Sequence, residues 1–174
     1  IGSLPYSEGN SDDVNKFVWG DQDWNPETPV IETLRDYARL FIGPDYVEGV
    51  AQGLLALEEN LKGPLISNDN VEKTLLQWQD MEKKADPAAL QNPRFQLGLI
   101  RAYYDAYQKH RLTYETFLEN KAYGVLQNTG QGGVLAALEK AQGILALAQS
   151  EPVSPQYKTK VEELYHSLFK APAP

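Results

Sequence analysis

Carboxylates dominate the side chains capable of chemistry, with 24 Asp and Glu against 16 Lys and Arg. Three close pairs, Asp12-Asp13, Asp21/Asp23 and Glu58-Glu59, have the residue types for metal binding or general acid–base work. That work requires them to converge in a cleft. Adjacent helix positions diverge by about 100°, so Glu58 and Glu59 do not act together from one face. A solvated face or a helix start is the plainer reading of all three pairs. Asp21-x-Asp23-x-Asn25 has the spacing that opens a calcium loop, with Glu32 at the twelfth position. The sixth position holds Pro26 in place of the turn glycine, and Pro29 reads as a helix start, which argues against the loop. No metal ligand, catalytic residue or cofactor is assigned.

Other chemistries are thinly supplied. Cys is absent, which excludes disulfides, thiolate metal sites and Cys nucleophiles but leaves the compartment open. His110 has no Ser or Cys nucleophile near it in sequence, and it and His166 read as rim or satisfied residues. Tyr103, Tyr107 and Tyr114 fall on one helical face with His110 between them and Tyr104 to the side. Such a stripe suits a sugar groove, yet core tyrosines with hydroxyls at the rim are the commoner case. Gln127–Gly133 is Gly-rich and precedes a helix, but it has neither phosphate-loop signature and no strand before it. It reads as an interhelical loop.

The elements that must position these residues are helices. Thr28-Pro29, Asn92-Pro93 and Ser154-Pro155 each offer an N-cap oxygen before a Pro at the first helical position, and Asp45 offers another cap. Gly43-Pro44 and Gly63-Pro64 read as stops. Between these marks apolar residues recur at helical spacing. The stripes are Val30–Phe41, Val47–Leu61, Val71 to about Met81, Phe95 to about Tyr123, Val134–Ala148 and Tyr157–Leu168. The spacing predicts an all-α fold: an antiparallel helical bundle or an array of helical hairpins, of about six helices over 27–174. Residues 1–26 are expected to be an irregular, polar segment with one short helix over Ser11–Val18 and with Trp19 and Trp24 as anchors. Asp86-Pro87 reads only as a stop.

At 174 residues the chain fits one domain with a sizeable core. Its net charge of −8 argues against a nucleic-acid surface, and no stretch is apolar enough to span a bilayer. Ile1–Pro5 has neither a basic nor an apolar leader pattern and reads as a cut or processed edge, which leaves open whether the chain is a fragment or a whole protein.

Three stretches carry a likeness to a known family. They are Tyr6–Lys16 (YSEGNSDDVNK), then Trp24–Thr28 (WNPET), then Asp36–Gly43 (DYARLFIG); Leu57–Leu65 (LEENLKGPL) adds a fourth, with Leu61 where the family pattern has Trp. The first 65 or so residues resemble the junction in large bacterial glycoside-hydrolase-like proteins where the last barrel strand passes into a C-terminal helical domain. The resemblance implies that Leu4-Pro5-Tyr6 ends a barrel strand and that Tyr6, Ser7, Glu8 and Asn10 lie in a loop reaching a carbohydrate. It implies an upstream barrel domain as partner, acid/base carboxylates on that barrel, and an extracytoplasmic location. The expected function is a non-catalytic helical accessory domain that braces or shapes a carbohydrate site. The alternative is a free-standing helical protein-interaction module with an exposed apolar groove.

Overall fold

The computed structural model describes residues 12–170 and is helical throughout, with no strand among them. The all-α expectation holds. The described residues form eight helices: α1 (Asp12–Trp24), α2 (Val30–Phe41), α3 (Val47–Glu59), α4 (Asn70–Lys84), α5 (Pro87–Gln91), α6 (Pro93–Gln127), α7 (Gly133–Ser150) and α8 (Pro155–Lys170). Short 3₁₀ turns at Pro44–Tyr46, Leu65–Ser67 and Gly130–Gly132 join neighbours.

Two elements differ from expectation. The segment expected to be irregular is helical from Asp12 to Trp24, straight through Gly20. Tertiary ties explain this: Phe17 packs edge-on against Tyr37 and Phe41, Thr33 donates its hydroxyl to Asp21, and Gln22 Nε2 donates to the Thr28 carbonyl at 2.6 Å. The second is α5, where Asp86 is a cap as well as a stop. Its Oδ1 accepts from the Ala89 amide at 2.8 Å with Pro87 at the first helical position, and that amide bond first of all lowers the Asp86 pKa.

The expected caps form at some helix starts and not at others. Asn92 caps α6, accepting from the Arg94 and Phe95 amides at 2.9 and 3.3 Å. Thr28 and Asp45 make no cap, because α2 starts from Pro29 and α3 from Tyr46, after the 3₁₀ turn. Ser154 turns its hydroxyl to His110. Gly43 follows the Ile42 cap and ends α2 at a φ of +147°, whereas α3 already ends at its Asn60 cap and Gly63, at φ +73°, shapes the turn three residues beyond it.

The packing has one hub. The helices α4, α7 and α8 all lie on α6, while α1, α2 and α3 stack on one another in chain order and α3 returns to α4. The larger core gathers Ala38, Val50, Val71, Leu75, Trp78, Phe95, Leu99 and Ala102 around the Trp78 indole. Trp78 is fully buried and donates its Nε1–H to the Gly53 carbonyl at 3.2 Å. A second, smaller core joins only the distal half of α6 to α7, through Leu118, Ala122, Ala141 and Ile144.

Candidate functional site

The paired carboxylates do not converge. Asp13 Oδ2 accepts from the Tyr37 hydroxyl at 2.8 Å and Arg94 Nε at 2.6 Å, which pins α1 to both α2 and α6. Burial raises the Tyr37 pKa, and the bond to the Asp13 carboxylate raises it further. Asp21 holds Thr33, and Glu32 pairs with Arg35. The residues that would have formed a calcium loop are thus divided between α1 and α2, and no group of three or more His, Asp or Glu suited to a metal occurs among the described residues. Glu48 accepts from Arg35 and Gln52, and the Arg35 hydrogen bond chiefly draws its pKa down to about 2.

Of the tyrosine stripe, Tyr103 lies in the core, while Tyr107 and Tyr114 are half-buried. Tyr103 is buried, meets Tyr157 edge-on at 5.8 Å between ring centroids, and donates to Glu82 at 2.8 Å. Lys160 of α8 reaches the other oxygen of Glu82 at 2.6 Å. Burial first, and the Glu82 carboxylate second, push the Tyr103 phenol up to about 12. Tyr114 packs on the second core, and Tyr104 is exposed.

His110 gains partners that its sequence neighbourhood did not offer. Its Nε2 lies 2.9 Å from Glu72 Oε1 and its Nδ1 lies 2.6 Å from Ser154 Oγ, with the Tyr157 ring 5.5 Å away. With Nε2–H donating to Glu72, Nδ1 accepts from the Ser154 hydroxyl, the hydrogen-bond order of an acid–histidine–serine relay. Ser154 even stands at φ +47°, a backbone strained for a non-glycine residue. The following residue, Pro155, has no N–H, so the amide donor that some hydrolases take from the position after the nucleophile is absent here. The relay ties α4, α6 and the α7–α8 connection together.

Sequence reasoning missed a buried polar network near the end of α3. Asn60 Nδ2 donates to Asp105 Oδ2 at 3.0 Å and Thr74 Oγ1 donates to Asn60 Oδ1 at 3.0 Å, while Arg101 Nε reaches Asp105 Oδ1 at 2.8 Å. Asn68 Nδ2 faces the carbonyls of Glu59, Asn60 and Lys62, each at 3.1 Å, and Lys109 donates to the Asn68 carbonyl at 3.0 Å. Asp105 and Lys109 share the buried side of α6 with Ala102 and Ala106, so polar residues inside an apolar stripe were the available signal. No buried side-chain nitrogen or oxygen among the described residues lacks a partner.

The remaining feature is a surface. Although α7 is apolar on nearly every side, it buries only Ala137, Ala141 and Ile144. Val134 and Leu135 are 64 % and 78 % exposed, and Leu138 and Leu145 are also exposed. A groove of about 450 Å³ runs between α6 and α7, floored by Leu118, Ala122, Leu126 and Leu145 and edged by Glu115 and Glu119. A helix apolar all round is normally buried, so this face is built to be covered. Tyr6, Ser7, Glu8 and Asn10, the expected carbohydrate contacts, and the Ser11 cap lie outside the described residues.

The fold and these surfaces define an all-α helical protein, and among the described residues no helix is long and apolar enough to cross a membrane. Compared with protein-family models, curated proteins and solved structures, the chain matches none.

Proposed function

We propose that the chain is a non-catalytic helical accessory domain that braces or shapes a carbohydrate site in a protein resembling bacterial glycoside hydrolases. The family likeness of Tyr6–Lys16, Trp24–Thr28, Asp36–Gly43 and Leu57–Leu65 supports this. The observation that carries it is the seating of α1. Asp13, Phe17 and Asp21 fasten that helix to α2 and α6, so α1 is fixed on a packed body from its first turn. A brace needs such a fixed attachment. The reading frame upstream of Ile1 tests the proposal: a barrel-sized run of alternating strands and helices is expected, and its absence would remove the reading. Glycan-array binding by the whole encoded protein, with Tyr6→Ala and Glu8→Ala, tests the loop. About a tenfold loss in either variant is expected, and unchanged binding in both takes the loop out of the ligand site.

A second reading, a helical protein-interaction module, is favoured by one observation, the uncovered apolar side of α6 and α7.

A further inference from the structure

Resting on the second reading, we propose that the α6–α7 groove is a docking site for a basic amphipathic helix of a partner polypeptide. The shape comes first. Val134, Leu138 and Leu145 fall at i, i+4, i+11, on the side of α7 that continues the groove floor from Leu118, Ala122 and Leu126 of α6. Two helices with an apolar seam between them present the hole into which a third helix lays its own i, i+3, i+4, i+7 side chains. The 18 residues of α7 span about 27 Å, long enough to receive four or five turns of such a helix.

Charge selects the occupant. The charged side chains on the groove lining are Glu115 and Glu119. Glu115 is matched by Arg111 at 2.6 Å, whereas Glu119 makes no hydrogen bond or ion pair among the described residues. The nearby lysines cannot serve it. Lys121, about 200° further round α6, and Lys140 line a separate recess with Gly124 and Ala136, and Lys121 lies over the Phe117 ring. The groove lining of a second copy holds no cation to meet Glu119, and pairing two copies would bring together two molecules of net charge −8. A helix carrying Lys or Arg beside its apolar stripe satisfies the carboxylate and is drawn by the net charge.

The probes are two 18-residue peptides with one Leu stripe at helical spacing, flanked by Lys in the first and by Glu in the second. Binding to the whole chain is followed by fluorescence anisotropy at 0.15 M salt. The Lys peptide is expected to bind about tenfold or more tightly than the Glu peptide. Leu138→Asp should abolish binding, with Leu145→Asp, on the groove lining itself, as the second variant should the first fail to fold by circular dichroism. Glu119→Gln should weaken the Lys peptide severalfold, and Glu58→Gln, which removes the same charge from a distant surface, should not. Equal binding of both peptides, or equal effects of the two Gln variants, would overturn the basic partner and leave a helix groove standing. No binding of either peptide would remove the interaction reading as well. A dimer at micromolar concentration, dispersed by Leu138→Asp, would assign the face to a second copy instead. Attachment to phosphatidylcholine vesicles that Leu138→Asp prevents would assign it to a membrane surface.

Discussion

Trp78 occupies a slot that exists because two helices present glycine to it. A Cβ added at Gly98 of α6 would stand 2.1 Å from the indole, and one at Gly53 of α3 would stand 3.0 Å from it. Neither backbone can yield easily, since Gly53 also holds the indole N–H and the Phe95 ring lies 5.8 Å from it. Gly98→Ala sets two effects against each other. Helix propensity favours Ala by about 1 kcal/mol, while overpacking a tight core costs about 1–3 kcal/mol and more when the clash is with a rigid ring. Packing wins, and a net loss of about 2 kcal/mol is expected, seen as a lower urea midpoint with an unchanged slope. An unchanged midpoint would mean that α4 and α6 can part without cost. Apolar spacing identifies Trp78 as an inward-facing residue, but it cannot identify its glycine partners, because a glycine acquires that meaning only from what packs on it. The same holds for His110: 44 positions separate it from Ser154, and only the return of α8 onto α6 closes the gap.

Helix α6 shows at the scale of an element what helical spacing can and cannot convey. Its stripe of Phe95, Leu99, Ala102, Tyr103 and Ala106 was legible, as was its Asn92 cap, because both are local. Its end was not. The apolar stripe is expected to run to about Tyr123, yet the helix continues through Gly124 to Gln127, since an exposed glycine costs only about 1 kcal/mol and contacts of Val125 with α7 offset it. Nor does the stripe reveal that its two halves serve different bodies, the first packed by α4 and α8 and the second by α7 alone. This division carries a prediction. With three buried residues in 18, α7 opens at little cost, whereas α4 and the first half of α6 are locked around Trp78. Native-state hydrogen exchange should find α7 amides exchanging about a hundredfold faster than those of α4. Equal protection in the two would show a single cooperative unit and an α7 held by more than its visible contacts.

Across the whole molecule, two properties oppose each other: a net charge of −8 that keeps copies apart, and an apolar α6–α7 face that draws them together. At neutral pH the charge dominates. Near the sequence pI of 4.8 that repulsion vanishes, and the outcome depends on whether the fold survives there. The tie between α2 and α3 does survive. The Glu48 carboxyl sits at about 2 in the folded chain, below its ordinary value of 4.5, so its stabilisation is complete above pH 4.5 and is lost only as pH falls toward 2. The Asp86 cap is lowered in the same direction. At the alkaline end the sign reverses: the Tyr103 phenol, held to about 12 against an ordinary 10, stabilises fully below pH 10 and progressively less up to 12. These two carboxylates keep their folded-state ties at pH 4.8, so association there is expected of the folded chain. Light scattering should rise sharply between pH 5.5 and 4.8 while helical circular dichroism stays constant. The paired change Leu135→Gln and Leu138→Gln leaves the charge untouched, so it should suppress the rise at an unaltered pI. Should the variant scatter as strongly as the parent, association runs through another apolar surface, and Trp24, at 90 % exposed, becomes the residue to alter next.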